Sequence, residues 1–234
     1  MNEILFILSG VLGFFGVALV AKLFGKYGLI AWVGISAILA NIALTKQVTM
    51  FGVDCTLGNI MFSSTYLATD ILSEVYGKKD ARKAVFVGGM AAIVFVGFGL
   101  LVTRFTANQW DMANDSLKMI LDFSIRTTTM SIICFFIADY ADVWLFERFR
   151  QKSTKHLWLR NNVCTILTNC LENFILCFGA FYGIYDAQYC LMIALTSSVI
   201  EIIAALLDTP FCYLGRKWAR ERHDVDAIPE TVKA

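Results

Sequence analysis

The sequence predicts an all-α protein that crosses a lipid bilayer about seven times. Of its 234 residues, 58% are hydrophobic and 17% are charged, and only two are prolines. Charged residues alone make up about a quarter of an ordinary soluble domain, and the mean hydropathy of this chain is correspondingly high, at +0.64. Because hydrocarbon offers the backbone no hydrogen-bond partner, long apolar segments that cross it are expected to form helices.

Apolar segments of about 20 residues, the length that crosses the hydrocarbon core, recur along the whole chain. The predicted crossings are residues 4–23, 29–45, 57–76, 84–103, 123–146, 162–184 and 189–214. The third segment is the most polar, and six crossings would remain without it. Between the fourth and fifth, the polar stretch 106–122 is expected to hold a short interfacial helix in the segment MANDSLKMILDF.

The basic residues predict the orientation. If all seven segments cross, one side of the membrane receives only Lys46, Arg104 and Lys118. The other side receives Lys22, Lys26, Lys78, Lys79, Arg82, Lys83, Arg148, Arg150, Lys152, Lys155, Arg160, Arg216, Lys217, Arg220 and Arg222. Cytoplasmic loops carry an excess of Lys and Arg, so the N-terminus is predicted outside and the C-terminus in the cytoplasm. Residues 1–222 then form a single transmembrane domain, and 223–234 form a short polar cytoplasmic tail.

Several function classes find no support in the sequence. A net charge of +1 provides no basic field for nucleic acid. The seven cysteines are scattered without the spacing of metal ligands, so no cofactor is expected. The chain lacks G-x-x-x-x-G-K-[S/T], H-E-x-x-H and G-x-S-x-G motifs. We therefore expect neither nucleotide hydrolysis by this chain nor an enzyme.

Polar side chains within the predicted helices share single helical faces. The sixth helix carries Asn162, Thr165, Asn169 and Glu172 at steps of three, four and three, and the third carries Asn59, Ser63, Tyr66, Asp70 and Glu74 in the same manner. The second, fifth and seventh add Asn41, Thr128, Asp139, Asp142, Glu201 and Asp208. A carboxylate at the bilayer centre costs about 2.5–3.5 kcal/mol, so such groups face protein or water. Helices two, three, five, six and seven are therefore predicted to line a chamber, while helices one and four face lipid.

Each acidic pair also allows a structural interpretation. Asp70 and Glu74 are as consistent with ion pairs as with substrate contact, and the candidate partners are Lys78, Lys79, Arg82 and Arg126. Asp139 and Asp142 lie towards the cytoplasmic half of their helix, where capping is an alternative. Glu172 differs because it lies near mid-depth, so it is the first candidate for a functional carboxylate.

Four blocks of sequence carry a resemblance to a known family. They read TYLATDILSEVYGKKDAR, IADYADVWLFERFR, WLRNNVCTILTNCLENFI and ALLDTPFCYLGRK, in that order, from Thr65 to Lys217. In this combination the chain resembles the queuosine precursor transporter family, also called the vitamin uptake transporter-like family. The resemblance implies a multi-pass carrier of the bacterial inner membrane. Its implied substrate is a 7-deazaguanine base (the cyano form, the aminomethyl form or queuine) that is salvaged for tRNA modification.

The implied substrate, a small planar heterocycle, matches the polar residues. A deazaguanine presents an amino group and a ring N–H along one edge, and an ionised carboxylate can accept both. The resemblance makes Glu172 this acceptor and Asn169 its neighbour, with Phe174 as a stacking surface unless it packs in the core. The further expected substrate contacts are Thr165, Asp142, Asp139, Asp70, Asn41 and Glu201. Structural or gating roles are expected for Glu74, Arg126, Arg160, Asn162 and Asp208.

Two features of the sequence depart from the family pattern and leave the preferred precursor open. This chain has Asn169-x-x-Glu172 where the family usually has Gln-x-x-Asp, and Glu201 where a Lys is common. The first exchange keeps an amide and an acid with displaced atoms, whereas the second reverses a charge. A larger or cationic precursor, such as the aminomethyl form or queuine, is therefore also consistent with the sequence.

The energy source and the assembly also stay open. Proton coupling through Glu172, Glu201 or Asp208 and facilitated diffusion both fit the sequence, and so does a homo-oligomer. The alternative function is a substrate-binding subunit of a multi-component, ATP-driven uptake system for a purine-like or vitamin-like molecule. Co-purification with an ATPase would distinguish it from a self-sufficient carrier.

Overall fold

A computed structural model describes residues 1–152 and 157–227. Within these ranges, only the backbone is described for residues 78, 135–136, 138–152, 157–166, 168–169, 205–206 and 223–227. The described chain forms α1 Asn2–Ala43, β1 Gln47–Met50, β2 Val53–Thr56, α2 Gly58–Val75, α3 Lys78–Val102, α4 Asn114–Lys152, α5 Leu157–Phe181, α6 Ala187–Leu207 and α7 Thr209–Ala227. The prediction of a helical protein is confirmed, and one small hairpin is added to it.

The helix α1 folds back on itself at Gly25. Gly25 has φ 58° and ψ −140°, a conformation that glycine adopts and that other residues avoid. A Cβ atom built on Gly16 would lie 2.6 Å from the Trp32 ring, although a straight helix would separate these residues by about 24 Å. Residues 2–24 and 26–43 therefore form an antiparallel helical pair. This pair corresponds to the first two predicted crossings, with a much shorter connection than expected.

A tight β-hairpin that the sequence analysis did not predict follows α1. β1 and β2 pair antiparallel. The two turn residues, Phe51 and Gly52, have φ values of 52° and 78°, as a type I′ turn requires. The Asn2 side chain donates to the Thr49 carbonyl at 3.1 Å. The start of α1 and the β-hairpin thus lie at the same end of the helical bundle, which we call the hairpin end.

The opposite end collects basic residues that the sequence predicts to be cytoplasmic, and we call it the basic end. Asp80, at the start of α3, pairs with Lys26 at 3.7 Å and with Lys83 at 2.9 Å. Lys22 lies over the Trp218 ring of α7, with its amino group 4.7 Å from the ring centre. These contacts gather basic residues from distant parts of the chain on one side, as the positive-inside rule requires. The direction of the chain across the membrane stays a prediction.

Three helices of the described chain are long and apolar enough to cross a membrane. They are α1, α3 over Lys79–Val102, and α6 over Ala187–Ala204. The halves of α1 could each cross once, since they run antiparallel. On α3, Phe86 and Phe98 are 70% and 68% exposed, which is favourable against acyl chains and costly in water. The fold is thus that of a membrane protein with several spans, and the count of seven stays a prediction.

The predicted seventh crossing, residues 189–214, is wrong in its length. α6 ends at Leu207 and α7 begins at Thr209. Pro210 explains the break, because proline lacks a backbone N–H and its ring clashes with the carbonyl of the preceding turn. Asp208 therefore terminates α6 instead of lying within a helix, and the basic residues that follow belong to α7.

The expected interfacial helix before the fifth crossing is not a separate element. α4 runs without interruption from Asn114 to Lys152, so the segment MANDSLKMILDF contributes the first turns of this helix. With 39 residues, α4 exceeds the length of about 20 residues that crosses the hydrocarbon core. It therefore extends beyond the core on at least one side.

Two apolar clusters organise the bundle. The first joins α1, α2, α3 and α7, and includes Phe14, Leu67 and Ile71. The second joins α5 and α6, and includes Phe181 and Ile193. α2 also contacts α6, so polar side chains of α2, α5 and α6 can meet along the seam between the clusters.

Candidate functional site

Three polar side chains from different helices lie near one another at this seam. Tyr66 lies near the middle of α2, Glu172 lies in α5 and Glu201 lies in α6. Tyr66 is within electrostatic range of both carboxylates, and Glu201 is within range of Glu172. We call Tyr66, Glu172 and Glu201 the central site. The structure thereby brings together two of the residues that the sequence predicts to contact substrate.

The side chains of the central site are not sealed within the packed core. Tyr66 keeps 45% of its surface exposed, although α2 packs against α1, α3, α6 and α7. Its neighbours Leu67 and Ile71 are fully buried in the first cluster. Glu172 and Glu201 both keep intermediate exposure. All three side chains therefore keep some accessible surface outside the packed core.

Glu201 is held by an amide from the neighbouring helix. The Asn173 Nδ2 in α5 donates to the Glu201 Oε2 at 2.9 Å and to the Ser198 Oγ at 3.3 Å. Asn173 and Ser198 are buried, at 5% and 7% exposure. Ser198 in turn donates to the Ala194 carbonyl at 3.0 Å. The carboxylate of Glu201 is therefore oriented by a buried network and still partly accessible.

α4 forms a further wall of the site. The thiol of the fully buried Cys134 lies 3.8 Å from the backbone carbonyl of Glu172 and donates to it. This contact places the middle of α4 directly behind Glu172. The central site is thus surrounded by α2, α4, α5 and α6.

A second group of acidic residues lies at the basic end. Glu74 accepts from Arg216 of α7 at 2.7 Å. Asp70 is within electrostatic range of Glu74 and of Asp208, the residue that ends α6. Glu74 thus forms an ion pair, which is the structural alternative for this residue, and its partner is Arg216 rather than Lys79, Arg82 or Arg126. The structural or gating role expected of Glu74 stays a prediction.

Asn41 connects α1 to α4. Its Oδ1 accepts from the hydroxyls of Thr127 at 3.2 Å and Thr128 at 3.0 Å. Its Nδ2 donates to the Ala37 carbonyl at 2.8 Å. Asn41 is 4% exposed, and both the oxygen and the nitrogen of its side-chain amide bond to protein groups. Its placement indicates a structural role, and its expected contact with substrate stays a prediction.

Arg126 binds the C-terminal end of α5. Its Nε donates to the Gly179 carbonyl at 3.1 Å, and its Nη2 donates to the Tyr182 carbonyl. A positive charge is favourable at this end of a helix, where carbonyl groups lack helical partners. Arg126 is therefore placed to stabilise α5 and does not pair with Asp70 or Glu74.

Phe174 lies parallel to Phe178, with ring centroids 6.5 Å apart and planes inclined by 7°. Both rings pack against the second apolar cluster and keep intermediate exposure. Phe174 thus packs against the apolar core, as one of the two interpretations of the sequence expects. Its role in stacking on substrate stays a prediction.

The remaining expected site residues lie outside the described side chains. These are Asp139 and Asp142 on α4, and Arg160, Asn162, Thr165 and Asn169 on α5. Their roles stay predictions.

Asn173 and Ser198 are members of the site that sequence reasoning missed. Asn173 directly follows Glu172 and so lies about 100° around the helix, away from the stripe that drew attention to Glu172. Ser198 precedes Glu201 by one helical turn on the same face of α6. An amide within the apolar run LENFILCF was the signal available, since a buried amide needs hydrogen-bond partners.

The central site is suited to a flat ligand rich in hydrogen-bond donors. Ionised carboxylates are acceptors only, and each can take two parallel donors. Tyr66 adds an aromatic face and a hydroxyl group. Between packed helices these interactions are stronger than in water because the local dielectric is low.

Comparison with known proteins places the chain in a family. A family model described as "Putative vitamin uptake transporter" matches residues 56–215. The chain is 34% identical to a "Probable queuosine precursor transporter" of Bacillus subtilis (strain 168), over 92% of this chain and 95% of the relative. It is 23% identical to the "Queuosine precursor transporter" of Escherichia coli (strain K12), over 78% of this chain and 83% of the relative.

The comparison with solved structures produced no match. The family model covers the sequence blocks from Thr65 as far as Gly215, and the Bacillus relative aligns with 92% of the chain, so the resemblance found in the sequence is confirmed. The family is one of transporters rather than enzymes. This chain belongs to the family of putative vitamin uptake transporters.

Proposed function

We propose that this protein imports a queuosine precursor of the 7-deazaguanine type across the bacterial inner membrane by alternating access. The names of its relatives supply the substrate class. The single structural observation that supports it is the convergence of Tyr66, Glu172 and Glu201 from three helices. Accessible carboxylates beside an aromatic ring have the chemistry that a donor-rich planar base requires.

In the proposed complex, the amino group and ring N–H of the base donate to the carboxylate of Glu172. The ring lies against Tyr66, whose accessible face provides a flat apolar surface. Glu201, held by Asn173, then meets the opposite side of the base. Every base of this class is thus held at one edge and one face, and Glu201 adds a contact where the opposite edge carries a donor.

In the proposed transport cycle, an ion pair at the basic end controls access to the cytoplasm. At the basic end the ion pair between Glu74 and Arg216 connects α2 to α7. We propose that this pair closes the cytoplasmic side while the base enters from the hairpin end. Breaking the pair would let α2 and α7 separate and release the base into the cytoplasm. Transporters of many folds alternate access around a fixed midplane site in this way.

The test is uptake in a bacterial strain that can neither make queuosine precursors nor import them. The full chain is expressed, one of the three precursors is supplied at low concentration, and queuosine in tRNA is measured. We expect modification to be restored only when the chain is present. The proposal fails if the chain is abundant in the membrane and none of the precursors restores modification.

Purified protein in proteoliposomes separates the proposed carrier from the subunit of an ATP-driven system. A self-sufficient carrier takes up the base without any ATPase, and a proton gradient increases uptake if transport is proton-coupled. Binding without uptake, reversed only by adding an ATPase module, would favour the subunit instead.

A further inference from the structure

Glu201 is oriented by its protein partner without being neutralised. The Asn173 Nδ2 donates one hydrogen to the Glu201 Oε2 and directs the other to the Ser198 Oγ. An amide is uncharged, so this bond orients the carboxylate and leaves its negative charge uncompensated. Asn173 is 5% exposed while Glu201 keeps intermediate exposure. Of the two bonded side chains, the Asn173 amide is thus the buried one and the Glu201 carboxylate is the accessible one.

Two acidic residues at the basic end show a different pattern. Glu74 pairs with Arg216 and Asp80 pairs with Lys26 and Lys83, so each has a cationic partner at the basic end. A charged carboxylate between helices is costly unless a positive group meets it. For Glu201 the described contacts leave that positive group to be supplied by whatever enters the site.

We propose that Asn173 is a positioning residue that holds Glu201 by Oε2 and presents Oε1 to a protonated amine on the substrate. The inference rests on the proposed function and names the substrate class: a cationic, amine-bearing base is preferred over its uncharged counterpart. A primary amine is protonated near neutral pH, as a lysine side chain is. A nitrile at the same position carries no charge and donates no hydrogen bond.

Asn173 acts through Glu201, and this separates it from a residue needed only for folding. Without the amide, the carboxylate of Glu201 can rotate away from the site, and the amine loses a charge-assisted hydrogen bond. The uncharged base never used that bond and is unaffected. The KM for the aminomethyl form divided by the KM for the cyano form therefore reports the positioning role. This ratio rises when positioning is lost.

The experiment measures uptake of the aminomethyl and cyano precursors by the full-length chain in proteoliposomes. The wild-type protein is expected to have the lower KM for the aminomethyl form. Asn173→Ala is expected to raise that KM about tenfold and to leave the KM for the cyano form little changed. Thr196→Ala, which removes a hydroxyl bonded only to the Met192 carbonyl within α6, serves as the matched control and is expected to keep the wild-type ratio.

A double-mutant cycle with Glu201→Gln tests whether Asn173 acts through the acid. In the Glu201→Gln background, Asn173→Ala is expected to cause no further change in the KM ratio. If Asn173→Ala does not reach the membrane, Asn173→Leu fills a similar volume without a donor and should likewise raise the KM for the aminomethyl form relative to the KM for the cyano form. The inference is overturned by a wild-type protein without amine preference, by an unchanged ratio in both variants, or by an equal shift in the Glu201→Gln background.

Failure of this inference and failure of the proposed function give different results. If the wild-type protein takes up neither precursor, the proposed function fails and the inference falls with it. If it takes up both precursors and the Asn173 variants keep the ratio of the wild-type protein, only the positioning role is rejected.

Discussion

Arg216 in α7 donates to Glu74 in α2 across 2.7 Å, and this ion pair connects two helices at the basic end of the bundle. The half-buried Cys212 is within electrostatic range of both residues, and of Asp70 and Asp208. The contact joins α2 and α7 in this structure, and breaking it is the step proposed above for release of the base.

Removing either partner of this pair should open the basic end. Glu74→Gln and Arg216→Gln are each expected to increase the labelling of Cys212 by a water-soluble thiol reagent. Since a partly exposed pair contributes about 1 kcal/mol or less, the increase should be roughly fivefold at most. Mass spectrometry of the peptide that contains Cys212 provides the measurement. The charge swap Glu74→Arg with Arg216→Glu should return labelling towards the wild-type rate, and a swap that labels like the single variants would contradict the pairing.

Gly25→Ala should destabilise the turn between the halves of α1. The backbone of Gly25 has φ 58° and ψ −140°, where a Cβ atom is strained at a cost of about 1–3 kcal/mol. The matched control is Gly10→Ala in the first half of α1, where an added Cβ atom would meet nothing within 4 Å. Thermal unfolding in detergent, followed by tryptophan fluorescence, should show a lower Tm for Gly25→Ala alone. Equal Tm values for the two variants would show that the turn is not strained.

Asn41→Ala should lower stability without altering substrate preference. The change leaves the buried Thr128 hydroxyl without the acceptor it uses, at a cost of about 1–3 kcal/mol. Thr129→Ala, on the exposed side of α4, is the control and should change Tm much less. The Tm values and a competition assay with the precursors are measured together. A change in preference with an unchanged Tm would instead place Asn41 in the substrate site.

Glu172→Gln should abolish uptake and leave folded protein in the membrane. The neutral amide loses a charge-assisted pair with the base, so affinity should fall by about 10- to 100-fold. The control is Glu221→Gln, which removes one negative charge from the exposed surface of α7, distant from Glu172 in the sequence. This variant should transport normally. Uptake per amount of membrane-inserted protein is the quantity to compare. Normal transport by Glu172→Gln would remove this residue from the site.

Glu201→Lys should reverse the preference between charged and uncharged precursors. A Lys at this position repels a protonated amine, and the Asn173 side chain can turn its carbonyl oxygen towards the new ammonium group. The cyano form should therefore compete better and the aminomethyl form worse than in the wild-type protein. The competition profile of the three precursors checks this, and an unchanged profile would count against a role for Glu201 in selectivity.

Most helices could be predicted from the sequence because they are long and apolar. The places where prediction failed each have a physical reason. The β-hairpin was missed because its strands have four residues each and its Phe51-Gly52 turn lacks the usual Asn-Gly or Asp-Gly signal. The break before α7 had a visible signal in Pro210, which ends a helical pattern even within an apolar segment.

The candidate site was predictable in its residue types and not in its pairings. Glu172 and Glu201 stand out because a carboxylate in an apolar helix is costly wherever it lies. Asn173 does not stand out, because its importance depends on facing α6. The rotation of α5 about its own axis decides that, and it follows from how the apolar clusters pack.

The sequence by itself determined the membrane class, the family and the acidic residues that must avoid lipid. These follow from composition and local order, since the free energy of placing a residue in hydrocarbon depends mainly on its own side chain. Only the tertiary structure decided that Glu201 bonds to an amide and Glu74 to Arg216. Those choices depend on the register and rotation of helices far apart in the chain, which are set by the packing of many side chains together.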